Sequence, residues 1–510
     1  MLDHWWATRP KRSLTSVPEV LTAVLTAAEG GIWDLNSQIR AEDLLAKLKL
    51  KRDGDLRDRE NRGGGGGRTY MAWMTSLGLM MRYEDRAGSK LVVPTLAGEE
   101  LIKTGDPVSI LTYQVLRYQF PSAYTSAGRQ AVSARFRVRP LLFLLRLMTE
   151  DGLDGYITET EIADIVIFKG ENESESTVND VVTEIQRIRA SGEYNRPPQK
   201  YADIANTFVN WLSYTQLIER IEGKISILPH RKDEVEYILE ELFDKQRTFI
   251  QNPGVHINFQ RSYGLPPGKV KDTRDLSRSI TITPREFNER RVLTVFAGLS
   301  IRELVTKITP EIIEKVAQLS GVPSEETEAI LMRIYPHGAI GAFMSGYFEM
   351  AQASREKATE FEITTAGIFR DVFGFEAKHI GQRGNVPDVL IRNSDWCAII
   401  DNKAYKDGYS VIGDHKRRMI DVYIDDYQRY SGSPVLDLAF FSYLSVSFGK
   451  NIKSQIEEIA ERTGISGSAM PVSTFIRMVE NQTRNTRIYS HDNIRDIFSL
   501  NREVLLEDVS

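Results

Sequence analysis

The sequence predicts a multidomain α+β protein in which two mostly helical modules and a helical connector precede a C-terminal α/β domain. Its 510 residues are too many for a single hydrophobic core, and about three domains are expected for this length. A helix, hairpin, helix pattern occurs twice in the first half of the chain, and an alternation of helical and strand periods begins near residue 359. We therefore expect domains at residues 1–135, 136–250, 251–358 and 359–510.

The first module is predicted from MAWMTSLGLMMRYEDRAGSKLVVP, residues 71–94. A helical stretch that contains Trp73 precedes two alternating strands with Gly88 between them, and LAGEELI then resumes a helical pattern. Helix, hairpin, helix is the plan of a winged-helix module, a relative of the helix-turn-helix. Winged helices also serve purely as protein-contact modules, so the plan alone does not establish nucleic-acid binding.

The second module repeats this plan in VNWLSYTQLIERIEGKISILP, residues 209–229. Gly223 takes the turn position, and DEVEYILEELF is the helical pattern that follows. Helical stretches at 139–148 and 158–168 are expected to open this module. The chain therefore contains two candidate recognition modules of winged-helix type.

The rest of the chain divides into a connector and a compact domain. Residues 231–358 have mostly helical periodicity, and the gap at 252–275 is rich in Gly, Pro and charge, which indicates a linker or an exposed loop. The C-terminal domain is predicted to contain a helix at 361–373, a β-hairpin, a helix at 414–430, the apolar strand LDLAFFSYLSV and two amphipathic helices.

Charge is spread unevenly along the chain. The whole sequence has a formal net charge of −5, but residues 1–140 contain 21 Lys and Arg against 15 Asp and Glu. The first part is thus positive and the remainder carries the negative balance, which indicates that the N-terminal part faces a polyanion such as nucleic acid. Chance variation between domains is the alternative interpretation.

Composition excludes several protein classes. No apolar run approaches the ~18 residues of a membrane-spanning helix, and the start MLDHWWATRPKR lacks the apolar core of a secretory signal. The single cysteine, Cys397, rules out an intramolecular disulfide. It lies in WCAII, where a small buried residue is expected rather than a nucleophile. We expect a cytoplasmic protein with no membrane partner.

Two basic segments of the N-terminal part are candidates for contact with phosphate. In RGGGGGR, five glycines permit close backbone approach between two arginines, although the spacing matches neither a dinucleotide-binding fingerprint nor a phosphate-binding loop. In GRQAVSARFRVRP, arginines alternate with small residues, as in a loop that follows a phosphate backbone. A mobile or solvated loop explains each segment equally well. The candidate DNA-contacting residues are Arg62, Arg68, Thr69 and Tyr70 in and after the first segment, and Arg129, Arg135, Arg137 and Arg139 in the second.

Three charged residues stand in the predicted hairpin PDVLIRNSDWCAIIDNKAY. VLIR and WCAIID read as strands that are joined by the turn formers Asn-Ser-Asp. A turn centred on Ser394 sets residue 388 across from residue 400, so Asp388 and Asp401 lie at the same open end of the hairpin. Alternate residues of a strand share a face, so Lys403 projects with Asp401. Two carboxylates and one ammonium are therefore expected to converge.

Such a cluster indicates metal-assisted phosphodiester hydrolysis. Two neighbouring carboxylates near a core repel each other, and a divalent cation relieves that repulsion. Mg²⁺ is typically held by one or two carboxylates together with water and phosphate, and it generates a nucleophilic hydroxide and stabilises the leaving oxygen. Lys403 would orient the attacking water or neutralise charge on the phosphate. An ordinary surface ion pair is the alternative.

The tripeptide with an acid two residues before a lysine is not specific by itself. It also occurs as Glu222-Gly-Lys224 at a predicted hairpin tip and as Asp414-His-Lys416 at a predicted helix start. Neither of those has a Pro-Asp on a partner strand. The predicted cluster therefore rests on the placement of Asp388 and Asp401 on one hairpin, and not on the tripeptide.

The surrounding sequence resembles a known family. FRDVFGFEAKHIGQRGNVPDVLI followed by CAIIDNKAYKDGYSVIGDHKRRM resembles the cleavage domain of FokI, within the PD-(D/E)xK nuclease superfamily. The shared features are an aromatic-Gly-aromatic, Lys-His, a Gly-rich loop, Pro-Asp, Asp-x-Lys-Ala-Tyr, Gly-Tyr and Ile-Gly, and they cover about residues 360–500. LTYQVLRYQFPS, RPLLFLLRLM and the winged-helix plan make the N-terminal half similar to AlwI-like type IIS restriction and nicking endonucleases.

The resemblance implies roles for five residues. Asp388, Asp401 and the backbone carbonyl of Asn402 would be ligands of Mg²⁺, Lys403 would be the catalytic lysine, and Glu362 on the preceding helix would support the site as a further catalytic acid. A solvated helix charge is the alternative for Glu362.

The resemblance also implies self-association through the helix at 414–430, for which the candidate dimer residues are Lys416, Met419, Ile420 and Tyr423. Their spacing is that of a buried stripe, so they can instead pack on the domain's own sheet. DHKRRMID departs from the family's pattern of an acid and an arginine, which puts any charge pairing in doubt. Gln382, Arg383, Asn385 and Asn402 are candidate contacts to the DNA backbone, although loop polarity also explains them.

The resemblance implies a prokaryotic type IIS restriction endonuclease. Such an enzyme binds a short asymmetric duplex DNA sequence and cuts at a fixed distance from it with Mg²⁺, and the cell is expected to hold a companion DNA methyltransferase. A strand-specific nicking enzyme or one subunit of a heterodimeric restriction enzyme is the near alternative. A non-cutting DNA-binding regulator with an inert nuclease-like domain and a structure-dependent nuclease that ignores sequence are the alternatives of other classes.

Overall fold

The fold is taken from a computed structural model of the 510-residue chain. The structure describes residues 1–28, 31–48, 50, 65–84, 90–103, 107–122, 131–192, 197–245, 250, 256–274, 284–335, 338–353, 357–381, 386–405, 407–432 and 434–510. No helix among these residues is both long enough and apolar enough to span a membrane. The chain forms two compact units, residues 1–218 with 226–343, and residues 219–225 with 344–510.

The first unit is mostly helical. Its helices, in chain order, are α1 Val17–Ala27, α2 Leu35–Lys47, α3 Gly65–Ser76, α4 Leu96–Lys103, α5 Pro107–Leu116, α6 Pro140–Thr149, α7 Glu159–Glu161, α8 Ile167–Lys169, α9 Glu175–Ser191, α10 Gln199–Tyr214, α11 Lys232–Ile238, α12 His256–Tyr263, α13 Pro284–Arg302, α14 Pro310–Ser320 and α15 Ser324–Ile334. Stretches of π-helix, Ile162–Val166 and Leu239–Lys245, join α7 to α8 and extend α11.

The predicted helix, hairpin, helix order is present twice. In the first module α3 is followed by the antiparallel strands β1 Met80–Glu84 and β2 Lys90–Pro94 and then by α4. In the second, α10 precedes a hairpin of two strands, and a short strand from the start of the module pairs beside them, in the order β3-β5-β4. These strands are β3 Tyr156–Thr158, β4 Ile218–Ile221 and β5 Lys224–Ile227. The winged-helix assignment of the two modules stays a prediction.

The segment predicted as a linker contains a helix. Within 252–275, α12 buries Phe259 and Tyr263, which lie one turn apart on the same face. The hydroxyl of Tyr263 donates to the carbonyl of Gln114 at 2.8 Å, and Gly264 N donates to the carbonyl of Gln260 at the helix end. The prediction was wrong here because the flanking Gly and Pro residues outweighed one short apolar pair in the sequence pattern.

The second unit is built on a six-stranded sheet among its described residues, in the order β11-β10-β9-β8-β7-β6. β6, β7 and β8 are antiparallel neighbours, whereas β8, β9, β10 and β11 run parallel. The strands are β6 Glu376–His379, β7 Val389–Arg392, β8 Trp396–Lys403, β9 Asp437–Ser445, β10 Gly467–Pro471 and β11 Arg502–Glu503. The helices are α16 Ile340–Gln352, α17 Ala358–Asp371, α18 Asp414–Arg418, α19 Ile452–Thr463, α20 Val472–Arg484, α21 His491–Phe498 and α22 Leu506–Val509.

The second unit begins at Met344, before the predicted boundary at 359. The reason is that the latter half of α16 packs on α17, with the Tyr347 and Phe361 rings 5.1 Å apart. Residues 219–225 belong to the same unit, where Glu222 N donates to the carbonyl of Asp407 at 2.9 Å. The four-part division into 1–135, 136–250, 251–358 and 359–510 stays a prediction.

Both faces of the six-stranded sheet are covered, which is what parallel strands require. On one face α18, the π-helical turn Met419–Ile424 and α19 close over a core that includes Ile399, Tyr443 and Ile456. On the other face α17, α20 and α21 bring together aromatic rings, among them Phe369 and Phe475 at 5.3 Å. β8 therefore runs through the middle of the unit with both of its faces buried.

Candidate active site

The predicted hairpin is present as β7 and β8, but its register differs from the prediction by one residue. Val389 pairs with Ile400, so Asp388 lies opposite Asp401 rather than opposite Ile400. The side chain of Asn393 explains the difference, because its Oδ1 accepts from the backbone N of Asp395 at 2.8 Å and of Trp396 at 2.9 Å. This cap centres the turn between Ser394 and Asp395. The correction brings the two acids closer to each other than the sequence predicted.

Asp401 and Lys403 share one face of β8, as strand alternation predicts. Lys403 Nζ lies 2.7 Å from Asp401 Oδ2 and 4.0 Å from Asp388 Oδ2. The side chain of Asp401 is 4% exposed and those of Asp388 and Lys403 are each 15% exposed. The three charged groups therefore converge in a largely buried position, as expected.

The main chain of β8 binds the carboxylate of Asp388. The backbone N of Asn402 donates to Asp388 Oδ2 at 2.7 Å, a charge-assisted hydrogen bond. The Asn402 side chain points to the opposite face of the strand from Asp401 and Lys403. The three consecutive residues Asp401, Asn402 and Lys403 thus contribute a carboxylate, a backbone donor and an ammonium to one site.

The charges of the site perturb one another. Burial and the neighbouring charge of Asp401 raise the pKa of Asp388 well above its ordinary value, and Lys403 only partly offsets this. Burial disfavours the charge of Lys403, but Asp401 and Asp388 outweigh burial and raise its pKa above the ordinary value. The ammonium is therefore held charged, whereas a negative charge on Asp388 is disfavoured by burial and by the charge of Asp401.

Glu362 also reaches the site. It lies on α17, and its Oε2 is 2.7 Å from Nε2 of His379 on the edge strand β6. A Cβ built on Gly381 would come within 2.7 Å of Glu362 Oε2, 3.2 Å of Asp388 Oδ1 and 3.2 Å of His379 Nε2. These three atoms therefore surround one point beside Gly381, which only glycine leaves open. Glu362 belongs to the same cluster as Asp388 and is not a solvated helix charge.

A second group of polar aromatic residues surrounds Lys403. Its Nζ lies 6.0 Å from the centre of the Tyr409 ring, and the hydroxyl of Tyr409 is 3.1 Å from Nδ1 of His415. Burial and Lys403 lower the pKa of His415, which favours the neutral imidazole. Burial and the charge of Asp401 raise the pKa of Tyr423 to about 12. Sequence reasoning did not assign site roles to Tyr409, His415 or His379, although Gly-Tyr and Lys-His were visible as family features.

The donor set fits a hard divalent cation. Oδ1 of Asp401 is buried and has no hydrogen-bond partner among the described residues, although a buried carboxylate oxygen ordinarily requires one. The described His, Cys, Asp and Glu side chains offer no group of three close enough to hold a metal by themselves. A cation here would take two carboxylates and complete its shell with the Asn402 carbonyl, water and phosphate, which is the pattern of Mg²⁺.

The predicted DNA-contacting residues of the N-terminal part differ in their exposure and in their contacts within the protein. Arg68 and Thr69 are exposed in the first turn of α3, but Tyr70 is buried and its hydroxyl donates to the carbonyl of Leu50. Both ends of the Arg135 guanidinium engage acids, Asp3 at 2.8 Å and Glu171 at 2.6 Å. Tyr70 and Arg135 are therefore occupied within the protein, a structural role for each.

The remaining predicted contacts are accounted for as follows. Arg139 is buried against Glu173 at 2.6 Å, so it has a structural role as well. Arg137 is exposed in the same segment. Arg62, Arg129, Gln382, Arg383 and Asn385 lie outside the described residues.

The predicted dimer residues are mostly buried within the domain itself. Met419, Ile420 and Tyr423 lie in the core against the sheet, the alternative that their spacing allowed. Lys416 is partly exposed and binds Glu458, with 2.6 Å between Nζ and Oε2. The three apolar residues therefore pack within the domain's own core, and their part in self-association stays a prediction.

Comparison with known proteins finds a family similar to the C-terminal part. Residues 321–505 match the family described as the cleavage domain of FokI. Over 140 residues the chain is 30% identical to the type II restriction enzyme StsI of Streptococcus sanguinis. That alignment covers 26% of this chain and 23% of the enzyme, so the chain matches less than a quarter of this relative's length.

Two solved structures align more loosely. The structure of the restriction endonuclease FokI is 14% identical, with 86% of this chain and 83% of that chain covered at a TM-score of 0.29. The BpuJ1 endonuclease binding domain, in complex with modified DNA, is 15% identical, with 51% and 96% covered at a TM-score of 0.37. Scores this low carry no argument, so the assignment rests on the sequence matches. The expected resemblance of the C-terminal part to the FokI cleavage domain is confirmed, and the AlwI-like resemblance stays a prediction.

Proposed function

Because residues 321–505 carry a cleavage domain of the FokI type, we propose that the chain is a Mg²⁺-dependent type IIS restriction endonuclease. The observation that carries the proposal is the buried convergence of Asp388, Asp401 and Lys403 on the β7–β8 hairpin, inside the segment that matches the family. A surface ion pair would not bury two carboxylates against one ammonium, because the unbalanced charge is costly to desolvate.

Each residue of the site has a defined task in the proposed reaction. Asp388, Asp401 and the Asn402 carbonyl would hold Mg²⁺, which supplies an activated water and charge stabilisation for phosphodiester hydrolysis. Lys403, held charged by its neighbours, stabilises negative charge on the attacked phosphate and orients the water. Glu362 and His379 close the other side of the carboxylate cluster beside Gly381.

The N-terminal modules are proposed to bind a short asymmetric sequence in double-stranded DNA, with cleavage at a fixed distance from it. The net positive charge of residues 1–140 and the exposed Arg68 and Thr69 at the start of α3 support this role. One site per chain cuts one strand, so a double-strand break requires a second copy, a second chain or rebinding. A strand-specific nicking enzyme is the near variant, and a companion methyltransferase would protect the host DNA.

Incubation of the purified chain with plasmid and Mg²⁺ separates the candidate functions. Discrete fragments, or a uniform nicked circle, are expected if the proposal holds. A smear of fragments would instead indicate a structure-dependent or non-specific nuclease. Intact plasmid with retained DNA binding would indicate a regulator with an inert domain, a reading that the complete set of Asp388, Asp401 and Lys403 disfavours.

Substitution of Asp401 tests the site assignment. Asp401→Asn, which keeps the side-chain shape, and Asp401→Ala are both expected to lower the cleavage rate at least about a thousandfold, because the central carboxylate and the partner of Lys403 are lost. DNA affinity, measured by fluorescence anisotropy with Ca²⁺, should stay within about threefold. The matched control is Asp496→Ala, at an exposed position on α21. Full-rate cleavage by either Asp401 variant would refute the assignment.

A further inference from the structure

Asn402, the residue between Asp401 and Lys403, belongs to a buried polar network that involves two helices. Its Nδ2 donates to Oγ1 of Thr365 on α17 at 2.6 Å. The hydroxyl of Tyr347 on α16 lies 2.7 Å from the same oxygen. Thr365 and Tyr347 are fully buried and Asn402 is 6% exposed. Three residues that are far apart in sequence thus meet at one hydroxyl.

The direction of each hydrogen bond in this network can be assigned. Thr365 Oγ1 is 2.8 Å from the carbonyl of Phe361, which can only accept, so the single proton of Thr365 is used there. The same oxygen must then accept from Asn402 Nδ2 and from the hydroxyl of Tyr347. Thr365 is therefore the common acceptor of two buried donors.

The network connects to the three acids of the site through short stretches of backbone. Asn402 is fixed through its side chain, and its backbone N is the donor that holds Asp388 Oδ2 at 2.7 Å. Thr365 lies three residues after Glu362, on adjacent turns of α17, so the same hydroxyl fixes the height of that helix against β8. Asp401 and Lys403 flank Asn402 directly. A shift of Asn402 would therefore displace all of these groups.

We propose that Thr365, with Tyr347 and Asn402, is a positioning residue that sets the metal-binding geometry of the site from behind the sheet. The proposal rests on the function proposed above, because cleavage is its main readout. The outer partners of metal ligands orient those ligands, and their loss typically costs 10–100-fold in affinity or activity. The Thr365 hydroxyl acts one step further out, through the Asn402 backbone amide that orients Asp388.

A role in stability alone is the competing explanation, and two substitutions separate it from positioning. Thr365→Val keeps the shape of the side chain but removes the acceptor that Asn402 Nδ2 and the Tyr347 hydroxyl share. Thr365→Ser keeps the hydroxyl and removes only a methyl group. The matched control is Ser468→Ala on β10, which removes a buried hydroxyl that lies 2.9 Å from Ser442 Oγ in the same sheet. The hydroxyl of Ser468 pairs with Ser442 on the neighbouring strand, so its loss is expected to lower stability without moving the acids of the site.

Single-turnover cleavage of duplex DNA by the full-length chain is the test. Thr365→Val is expected to cleave about 10–100-fold more slowly and to require severalfold more Mg²⁺ for half-maximal rate. Mn²⁺ affinity in calorimetric titration without DNA should fall in parallel. Thr365→Ser should stay within about threefold of wild type, and Ser468→Ala should cleave at the wild-type rate. DNA affinity should be the same for all four proteins.

Three outcomes would overturn the inference. Thr365→Val could cleave at the wild-type rate while folded, as judged by circular dichroism. The Mg²⁺ concentration that Thr365→Val requires for half-maximal rate could equal that of wild type. Ser468→Ala could also be as slow as Thr365→Val, which would show that the loss of rate follows from lower stability alone. Absence of cleavage by the wild-type chain would contradict the proposed function instead. In that case the Mn²⁺ titration still decides the inference, because an unchanged affinity in Thr365→Val would refute it.

Discussion

Asp388, Asp401 and Glu362 illustrate, at the scale of single residues, how buried acids are kept in one place. Each has a different partner: the Asn402 amide for Asp388, the Lys403 ammonium for Asp401 and the His379 imidazole for Glu362. Burial of an unpaired charge is costly, and these pairings reduce that cost although they do not give every carboxylate oxygen a partner. The buried Oδ1 of Asp401 has no hydrogen-bond partner among the described residues.

Glu503 on β11 is a partly buried acid whose titration leads to a prediction. Burial and the charge of Glu219 raise its pKa to about 7. Because the pKa is higher in the folded state, protonated Glu503 contributes to the stability of the folded protein below pH 4.5. This contribution is lost as pH rises through about 7. Glu503→Gln should therefore raise the free energy of unfolding at pH 8, by at most about 3 kcal/mol, and give no gain at pH 4.5.

Denaturant unfolding at pH 4.5 and pH 8 measures this difference. The neighbouring Glu507 is exposed, so Glu507→Gln is the control and should change stability by less than about 0.5 kcal/mol at either pH. An equal effect of Glu503→Gln at both pH values would show that the carboxyl does not titrate in this range.

At the scale of elements, the two faces of β8 carry different groups of side chains. Asp401 and Lys403 project toward the face that also carries Tyr409 and Tyr423, whereas Asn402 projects toward α17. One strand therefore presents its reactive groups on one side and is anchored on the other. β8 is central in the sheet and is paired on both edges.

Two helical glycines give predictions of opposite sign. A Cβ on Gly98 of α4 would lie 2.0 Å from the carbonyl oxygen of Leu79, so Gly98→Ala forces the backbone apart and should destabilise the first unit by more than about 2 kcal/mol. A Cβ on Gly367 of α17 meets nothing closer than 3.8 Å. Gly367→Ala should therefore stabilise the second unit by about 0.5–1 kcal/mol, as helix propensity indicates.

Thermal unfolding of the two glycine variants beside wild type checks both signs in one experiment. The close approach at Gly98 is to backbone, which has no freedom to rotate away, and this is why a loss is expected. A neutral Gly98→Ala variant would show that α4 can move off β1 at little cost. A destabilised Gly367→Ala variant would show that the open space beside α17 is filled in solution.

At the scale of the whole molecule, the uneven charge has a measurable consequence. Residues 1–140 carry a positive balance within a chain whose net charge is −5. If these cations bind DNA phosphates, binding releases counterions and the logarithm of affinity falls linearly with the logarithm of salt concentration. The Kd of the full-length Asp401→Ala variant for duplex DNA should rise at least about tenfold between 50 and 200 mM salt.

Fluorescence anisotropy at four salt concentrations gives the slope, and the slope gives the number of phosphates contacted. Arg68→Ala should reduce the slope by about one unit, because Arg68 is exposed in the first turn of α3. Arg135→Ala is the matched control and should leave the slope unchanged, since its guanidinium is held by Asp3 and Glu171. A change in Kd of less than twofold over this salt range would contradict electrostatic binding.

Features that depend on neighbouring residues could be predicted from the amino-acid sequence. Strand alternation put Asp401 and Lys403 on one face, and turn formers placed Asp388 on the partner strand at the same end. The repeated helix, hairpin, helix order was also visible, because each element is encoded by its own periodicity. These features are local, so a single stretch of chain contains all the information that they require.

Contacts between groups that are distant in the sequence could not be predicted and were found in the folded chain. Thr365, Asn402 and Tyr347 form one network, Glu362 reaches His379, and Met419 turns into the core rather than outward, although nothing in their local sequence specifies these partners. Even the hairpin register followed from a cap by the Asn393 side chain and not from strand period. The physical reason is that packing of elements far apart in the chain sets each of these contacts, and periodicity records only which face of an element is buried.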